Sequence, residues 1–438
     1  MNFMNLVQEV EHVHPYKHYG KVTQVVGLMI ESKGPQVSVG EICCIHVGKH
    51  GRRKIMVEVV GFRDEKVLLM PFDRIEEISP GSLVESTKKP LEIKVGTSLM
   101  GKVLDGLGRP FDNEFVSNGL ISYPTDNQPP NPLKRPRIQE PLNLGVRAID
   151  SLFTVGKGQR VGIFAGSGVG KSTLMAMIAK NSAADINVIA LIGERGREVR
   201  DFVERDLGPE GLKNSIVVVA TSDQPALMRI KGAMTATAIA EFFRSQGLAV
   251  TLMMDSVTRV AMAQREIGLA VGEPPTTKGY TPSVFALLPR LLERSGTDEQ
   301  GSITAFYTVL VDGDDLNEPI SDAVRGILDG HLVLDRKLAN KGQFPAINVL
   351  TSISRIMNDI VSENHRQAAD RLRNLLAVYG DSEDLINIGA YKRGANKEVD
   401  EAIKKYPAII NFIKQNVDEE VTLEETIQYL INEFGGGG

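Results

Sequence analysis

Between residues 146 and 357 the chain alternates short apolar runs with longer helix-patterned stretches. Residues 161–165, 187–192, 215–220, 249–254 and 302–310 are almost continuously apolar. Such runs suit strands of a parallel sheet buried on both faces. Between them lie helical patterns, of which residues 227–243 are an example. The alternation predicts a doubly wound α/β core. Residues 19–90 differ. Runs at 21–30, 41–47, 54–60 and 66–70 are short and β-like, with Gly, Pro and charged turns between them. They predict a small all-β domain, a barrel. Residues 91–145 are transitional, and the Pro-rich stretch 123–136 reads as a surface loop. Beyond residue 358 the pattern is helical, and Thr422-Leu-Glu-Glu425 fits a capping box. At the other end Phe3, Leu6, Val7 and Val10 form one apolar face of a short helix, which either packs on its own domain or docks a partner. The expected division is 1–18, 19–90, 91–357 and 358–438.

Composition narrows the function classes. The 438 residues are 42% hydrophobic and 24% charged, with a formal net charge of −5. This is a globular composition, and the acidic balance with no interleaved aromatic and basic residues in 19–90 predicts no nucleic-acid partner. No apolar run reaches membrane-spanning length. The two cysteines, Cys43 and Cys44, are adjacent and read as free thiols in a reducing compartment. The expected location is cytoplasmic.

The chemistry gathers around residues 160–174. The apolar run ending at Ala165 leads into Gly166-Ser167-Gly168-Val169-Gly170-Lys171-Ser172-Thr173 and then an apolar helical pattern. Strand, Gly-rich turn, Lys-Ser and helix together form a phosphate-cradling loop, although Ala165 stands where the strict pattern has Gly. The loop's N–H groups and the helix dipole would hold the phosphates of ATP. Lys171 would reach the β- and γ-phosphates and the Ser172 hydroxyl would hold Mg²⁺. Asp255 ends the apolar run 249–254, at the ligand edge of such a sheet. A carboxylate there suits a metal role, and equally a helix N-cap. Glu194 follows the run 187–192 and is placed to polarise water, or to sit in a solvated turn.

The motifs Ala165–Ser172, Gly193-Glu-Arg, Asp255-Ser-Val-Thr-Arg259 and 344–355 together resemble the rotary-type ATPase family, which includes ATP synthase α and β subunits and the type III secretion ATPases. The likeness covers about residues 20 to 410. It implies a RecA-like P-loop core with an N-terminal β-barrel and a C-terminal helical domain. Residues 302–315, 327–331 and 388–394 are most similar to the secretion branch, and 272–280 resembles its flagellar members. Injectisome ATPases and the catalytic subunit of a rotary ATP synthase are the alternatives. By this resemblance Glu194 is the catalytic glutamate, with Arg195 beside it. Asp255 binds the metal, and Arg259 lies near the γ-phosphate. Phe344 packs on the adenine, unless it is simply core. Arg355 is the finger offered to a neighbouring subunit, and a chain holding both halves of a site implies a homohexamer. The family further implies a stalk protein in a central channel faced by residues 279–285, and a stator-like regulator at the N-terminal helix. It also implies export-gate membrane proteins, exported proteins with their chaperones, and a place at the cytoplasmic face of the inner membrane.

Overall fold

The computed structural model describes residues 18–48, 53–73, 77–112, 119–311, 313 and 315–435. The helix expected over residues 2–13 lies outside them. Six strands close into a barrel: β1 (Tyr19–Val26), β2 (Met29–Lys33), β3 (Glu41–Val47), β4 (Arg53–Arg63), β5 (Lys66–Pro71) and β6 (Leu83–Pro90), in the order β1-β2-β5-β4-β3-β6. The run 21–30 is two strands rather than one, because Gly27 turns the chain at φ +57°. Val22, Ile30, Cys43, Ile45, Val57 and Leu69 are among the side chains filling the barrel. Strand β6 has one buried position and a largely exposed outer face, so it carries no apolar run for the sequence to announce.

A linking ribbon, β7 (Glu92–Val95) with β9 (Ile121–Pro124), precedes the central sheet. That sheet contains β8 (Val103–Asp105), β10 (Arg160–Ala165), β11 (Ile186–Ile192), β12 (Ser215–Ala220), β13 (Ala249–Asp255), β14 (Gly296–Thr297), β15 (Ser302–Leu310), β16 (Gly330–Leu334) and β17 (Ile353–Ser354). Its order is β17-β16-β10-β15-β13-β11-β12-β8, with β14 beside β15. Only β14 and β17 run antiparallel to their neighbours. Every residue of β11 and β12 is buried, as two-sided coverage requires. One face packs the helix Lys171–Asn181 and the C-terminal helices, through Leu174, Met177, Leu372 and Phe412. The other packs the helices Ala226–Ser245, Val257–Val271 and Pro282–Leu292, through Ile239, Phe243, Val260 and Leu288. A third apolar cluster joins the barrel to this layer through Met70, Phe72, Leu227 and Ile267.

Polar anchors fix the rest. Of the Pro-rich stretch 123–136, Tyr123 and Pro124 end β9 and 125–136 form a loop, tied to the core by Arg135 donating to Ser295 O at 2.9 Å and by Asn127 donating to Glu241 at 2.7 Å. Glu241 is also gripped at both oxygens by Arg294, at 2.7 and 2.8 Å, and both side chains are almost fully buried. The C-terminal helices are Glu363–Asn387, Lys397–Ile413 and Leu423–Phe434, and Thr422 with Glu425 forms the expected capping box.

Candidate active site

The phosphate loop runs from the end of β10 into the helix Lys171–Asn181. Gly168 and Gly170 adopt φ of +76° and +88°, a region that strains residues with a Cβ. Gly166 does not, so only two of the three glycines are needed for their backbone angles. Ala165 is buried at the strand end, where its methyl joins the core and leaves the loop unobstructed. Gly170 caps the helix with no side-chain hydrogen bond, so the first-turn N–H groups are free to receive an anion. Ser167 is exposed, Val169 buried, and Ser172 and Thr173 half-buried.

Three charged side chains meet beside this loop. Lys171 Nζ donates to Asp255 Oδ1 and lies 3.6 Å from Glu194 Oε1. Thr308, from β15, donates to the same Asp255 oxygen at 2.7 Å. Asp255 does not cap the following helix. Ser256 does, its hydroxyl accepting from Arg259 N, so the carboxylate is free for other work. Glu194 follows β11 through Gly193, whose N–H donates to Ala220 O at 2.7 Å, and its own carbonyl accepts from Ser222 N at 3.0 Å. Glu194 is thus held at the mouth of the sheet rather than in a solvated turn, and its buried Oε1 has no hydrogen-bond partner among the described residues. Burial pushes its carboxyl up to about 7, with Asp255 and Glu198 adding to the rise and Lys171 opposing it.

Arg259 stands one turn into the helix Val257–Val271. Its aliphatic stem covers Gly193, where a Cβ would come within 2.7 Å of Arg259 Cβ. Its buried Nε has no hydrogen-bond partner among the described residues. Arg195 stands apart. It occupies the N-cap of the helix Gly196–Asp201, 82% exposed, and pairs with Glu198 at 3.6 Å. Phe344 lies over the loop: a Cβ on Gly170 would be 3.4 Å from its ring. The ring is 46% exposed, so it is not core. It forms one wall of a cleft of about 650 Å³ that is also lined by Arg147, Phe412, Gln415, Glu419 and Tyr429. Tyr429 stacks on Phe412 with centroids 5.3 Å apart.

Arg355 is elsewhere. It follows β17, which pairs with the start of β16, and Val161 at the start of β10 pairs with Gly330. Arg355 therefore sits at the N-terminal edge of the parallel strands, and the phosphate loop at the C-terminal edge. The length of β10 separates the two by about 17 Å at 3.3 Å per residue, beyond the reach of one side chain. Residues 279–285, expected to face a channel, are largely packed. Tyr280, Thr281 and Val284 are buried, and the exposed stretch is 274–278 just before them.

Thr308 was not singled out by sequence, although it is a polar interruption in the apolar run 302–310. Phe412, Gln415 and Tyr429 had no local signal, since they reach the cleft from two helices and the loop between them, distant in sequence from the phosphate loop. Among the described residues no cluster of three or more His, Cys, Asp or Glu could hold a metal alone. The oxygen donors present, Ser172 and Asp255, suit a hard cation that takes its other ligands from phosphate and water.

Comparison with known proteins finds family models and relatives over nearly the whole chain. The ATP synthase alpha/beta family beta-barrel domain matches residues 22–88, the nucleotide-binding domain of that family matches 145–354, and the T3SS EscN ATPase C-terminal domain matches 361–432. The chain is 64% identical over 435 residues to the flagellum-specific ATP synthase of Bacillus subtilis (strain 168), covering 99% of each. It is 52% identical to a type 3 secretion system ATPase of Xanthomonas euvesicatoria, covering 94% of this chain and 93% of the other. The assembled ATPase EscN of the enteropathogenic E. coli type III secretion system superposes with a TM-score of 0.88 at 45% identity, over 95% of this chain and 100% of that one. The same holds for EscN in complex with its central stalk EscO.

Proposed function

The chain belongs to the ATP synthase alpha/beta family, in the branch of the flagellum-specific and type III secretion ATPases, and from that premise we infer that it hydrolyses ATP to energise export of flagellar proteins through a type III secretion apparatus. The observation that carries the reaction is the cluster of Lys171, Asp255 and Glu194 at the phosphate loop.

The N–H groups of the loop receive the phosphates, and the adenine packs on Phe344 in the adjoining cleft. Lys171 sits between two carboxylates, and with both ionised the trio carries net charge −1. When Lys171 turns to the β- and γ-phosphates, Asp255 and Glu194 lose their counter-charge in a half-buried site. Asp255 and Ser172 would hold a divalent cation whose charge would offset this loss, which is the physical case for Mg²⁺ here. When bound, Mg²⁺ supplies charge neutralisation on the phosphate oxygens. Glu194, ionised, orients the attacking water in line with the γ-phosphate. Arg259 faces the charge that develops there. Its unpartnered Nε fits a group waiting for an anion. Arg355 does not reach this site within one chain, and the exposed Arg195 pairs with Glu198 beside it. We assign Arg355 to the site of a neighbouring copy. Both halves of one site then lie on one kind of chain, which fits a homohexamer with a site at every interface.

The relation to EscN, which was solved with its central stalk EscO, supports a stalk protein in the channel. A stator-like regulator at residues 1–18, export-gate proteins, and cargo with chaperones follow from the family branch alone. So does peripheral placement at the cytoplasmic face of the inner membrane. No helix among the described residues is long and apolar enough to cross a membrane.

Glu194→Gln tests the reaction. The amide keeps the shape but cannot take up or strongly attract a proton. Turnover should fall by about a hundredfold or more while ATP affinity stays near the parent's, and a strain with only this chain should export flagellar proteins poorly. Unchanged turnover would remove Glu194 from its role.

A further inference from the structure

Arg355 is anchored to the strand that ends in the chain's own phosphate loop. The link is Asp329, one residue before β16. Its carboxylate accepts three hydrogen bonds from Arg160, the first residue of β10: from the backbone N at 3.1 Å, Nε at 3.0 Å and Nη2 at 3.1 Å. The main chains reinforce this, with Asp329 N donating to Arg160 O at 2.9 Å and Arg355 N donating to Asp329 O at 3.0 Å. Gln159 closes the unit, its amide donating to Asp329 O at 3.2 Å and to Ser354 Oγ at 3.0 Å. Ser354 Oγ in turn donates to Thr154 O at 3.0 Å.

The head group of Arg355 is held quite differently. The residue is exposed, and its Nη2 makes a long contact of 3.5 Å to Arg325 O. A rigid backbone under a loosely held guanidinium suits a side chain that another molecule must receive. Arg160 and Asp329 are 14% and 23% exposed, and the Arg–carboxylate contact is bidentate, so it is geometrically demanding and weakly screened by salt. The opposite end of β10 is Ala165 and the phosphate loop. One strand thus has the chain's own phosphate cradle at one end and its finger at the other.

We infer that Asp329, clamped by Arg160, is the positioning residue for the Arg355 that the chain gives to a neighbouring copy. The inference rests on Arg355 acting in that neighbour's site.

The test uses the full chain under assembling conditions. Asp329→Ala should lower kcat about tenfold or more, with KM and equilibrium affinity for a fluorescent ATP analogue within about twofold of the parent. Asp329→Asn, which keeps an acceptor oxygen for Arg160, should lie between the two, and carries the same measurements if the alanine chain is unstable. Mixed with Lys171→Ala chains, either variant should regain turnover. At the productive interfaces the variant supplies its intact phosphate loop and the Lys171→Ala chain supplies a correctly held finger. A mixture of Arg355→Ala and Lys171→Ala chains is the control. If the control recovers and the Asp329 mixtures do not, or if nucleotide affinity falls in step with kcat, Asp329 serves only its own chain and the inference is wrong. If the control itself fails, the trans reading of Arg355 fails, and the inference with it.

Discussion

At the residue scale the site rests on a few side chains whose environments set their charge. Glu194 is half of an unequal contest in which burial and Asp255 raise its carboxyl pKa and Lys171 lowers it, leaving it at about 7. A carboxylate that orients water must be ionised, so the active fraction falls as pH drops through that value. With Mg²⁺ saturating, kcat/KM for ATP should show an acid limb centred near pH 7; a profile flat down to pH 5 would show that the carboxyl is not raised in the working enzyme. Gly193 is equally constrained. Its φ is +73° and an added Cβ would meet Arg259 at 2.7 Å. Gly193→Ala should therefore cost about 1–3 kcal/mol in denaturant unfolding and depress kcat by displacing Arg259; an unperturbed kcat would separate Arg259 from the chemistry. Lys171 was legible through the Gly-rich turn that precedes it, and Glu194 and Asp255 because each closes or follows an apolar strand. Thr308 was partly hidden inside such a strand, and Tyr429, on the helix Leu423–Phe434, carried no signal at all.

At the scale of elements, legibility followed burial. β11 and β12 are covered on both faces and read directly as apolar runs. β6 is mostly exposed, and β16 is five residues with alternating burial, so neither stands out from a loop. Helix ends were clearer than strand edges because their chemistry is local. Thr422 and Glu425 satisfy each other's backbone N–H groups as the four-residue pattern predicts. Thr422→Ala should lower stability by about 1 kcal/mol and leave ATP affinity unchanged. A shift in affinity would mean that the helix Leu423–Phe434, which carries Tyr429 and Thr426 to the cleft wall, is coupled to the nucleobase more tightly than the cap alone accounts for.

At the scale of the whole molecule, the residues proposed for catalysis fall at two edges of the sheet. The phosphate loop, Glu194, Asp255 and Arg259 gather at one edge of the sheet, while Arg355 stands at the other, tied to β10 through Asp329. No local motif could reveal this separation, because it depends on β17 turning back along the edge of the sheet beside β16. The resemblance to a ring-forming family made the trans role of Arg355 an expectation, and the strand geometry supplies its physical reason. Turnover per chain should accordingly rise with protein concentration as copies associate, and an assay in which activity stays strictly proportional to concentration down to dissociating dilution would argue for a self-sufficient chain.

The most direct measurement mixes two inactive chains. Arg355→Ala keeps a whole phosphate site and lacks the finger, and Lys171→Ala has the reverse defect. Each alone should turn over at least about a hundredfold more slowly than the parent. Co-assembled at equal amounts, they should regain activity, since random placement makes about a quarter of the interfaces intact on both sides. Recovery toward that fraction is the result expected of an active site shared between copies. A mixture no more active than its separate components would contradict it.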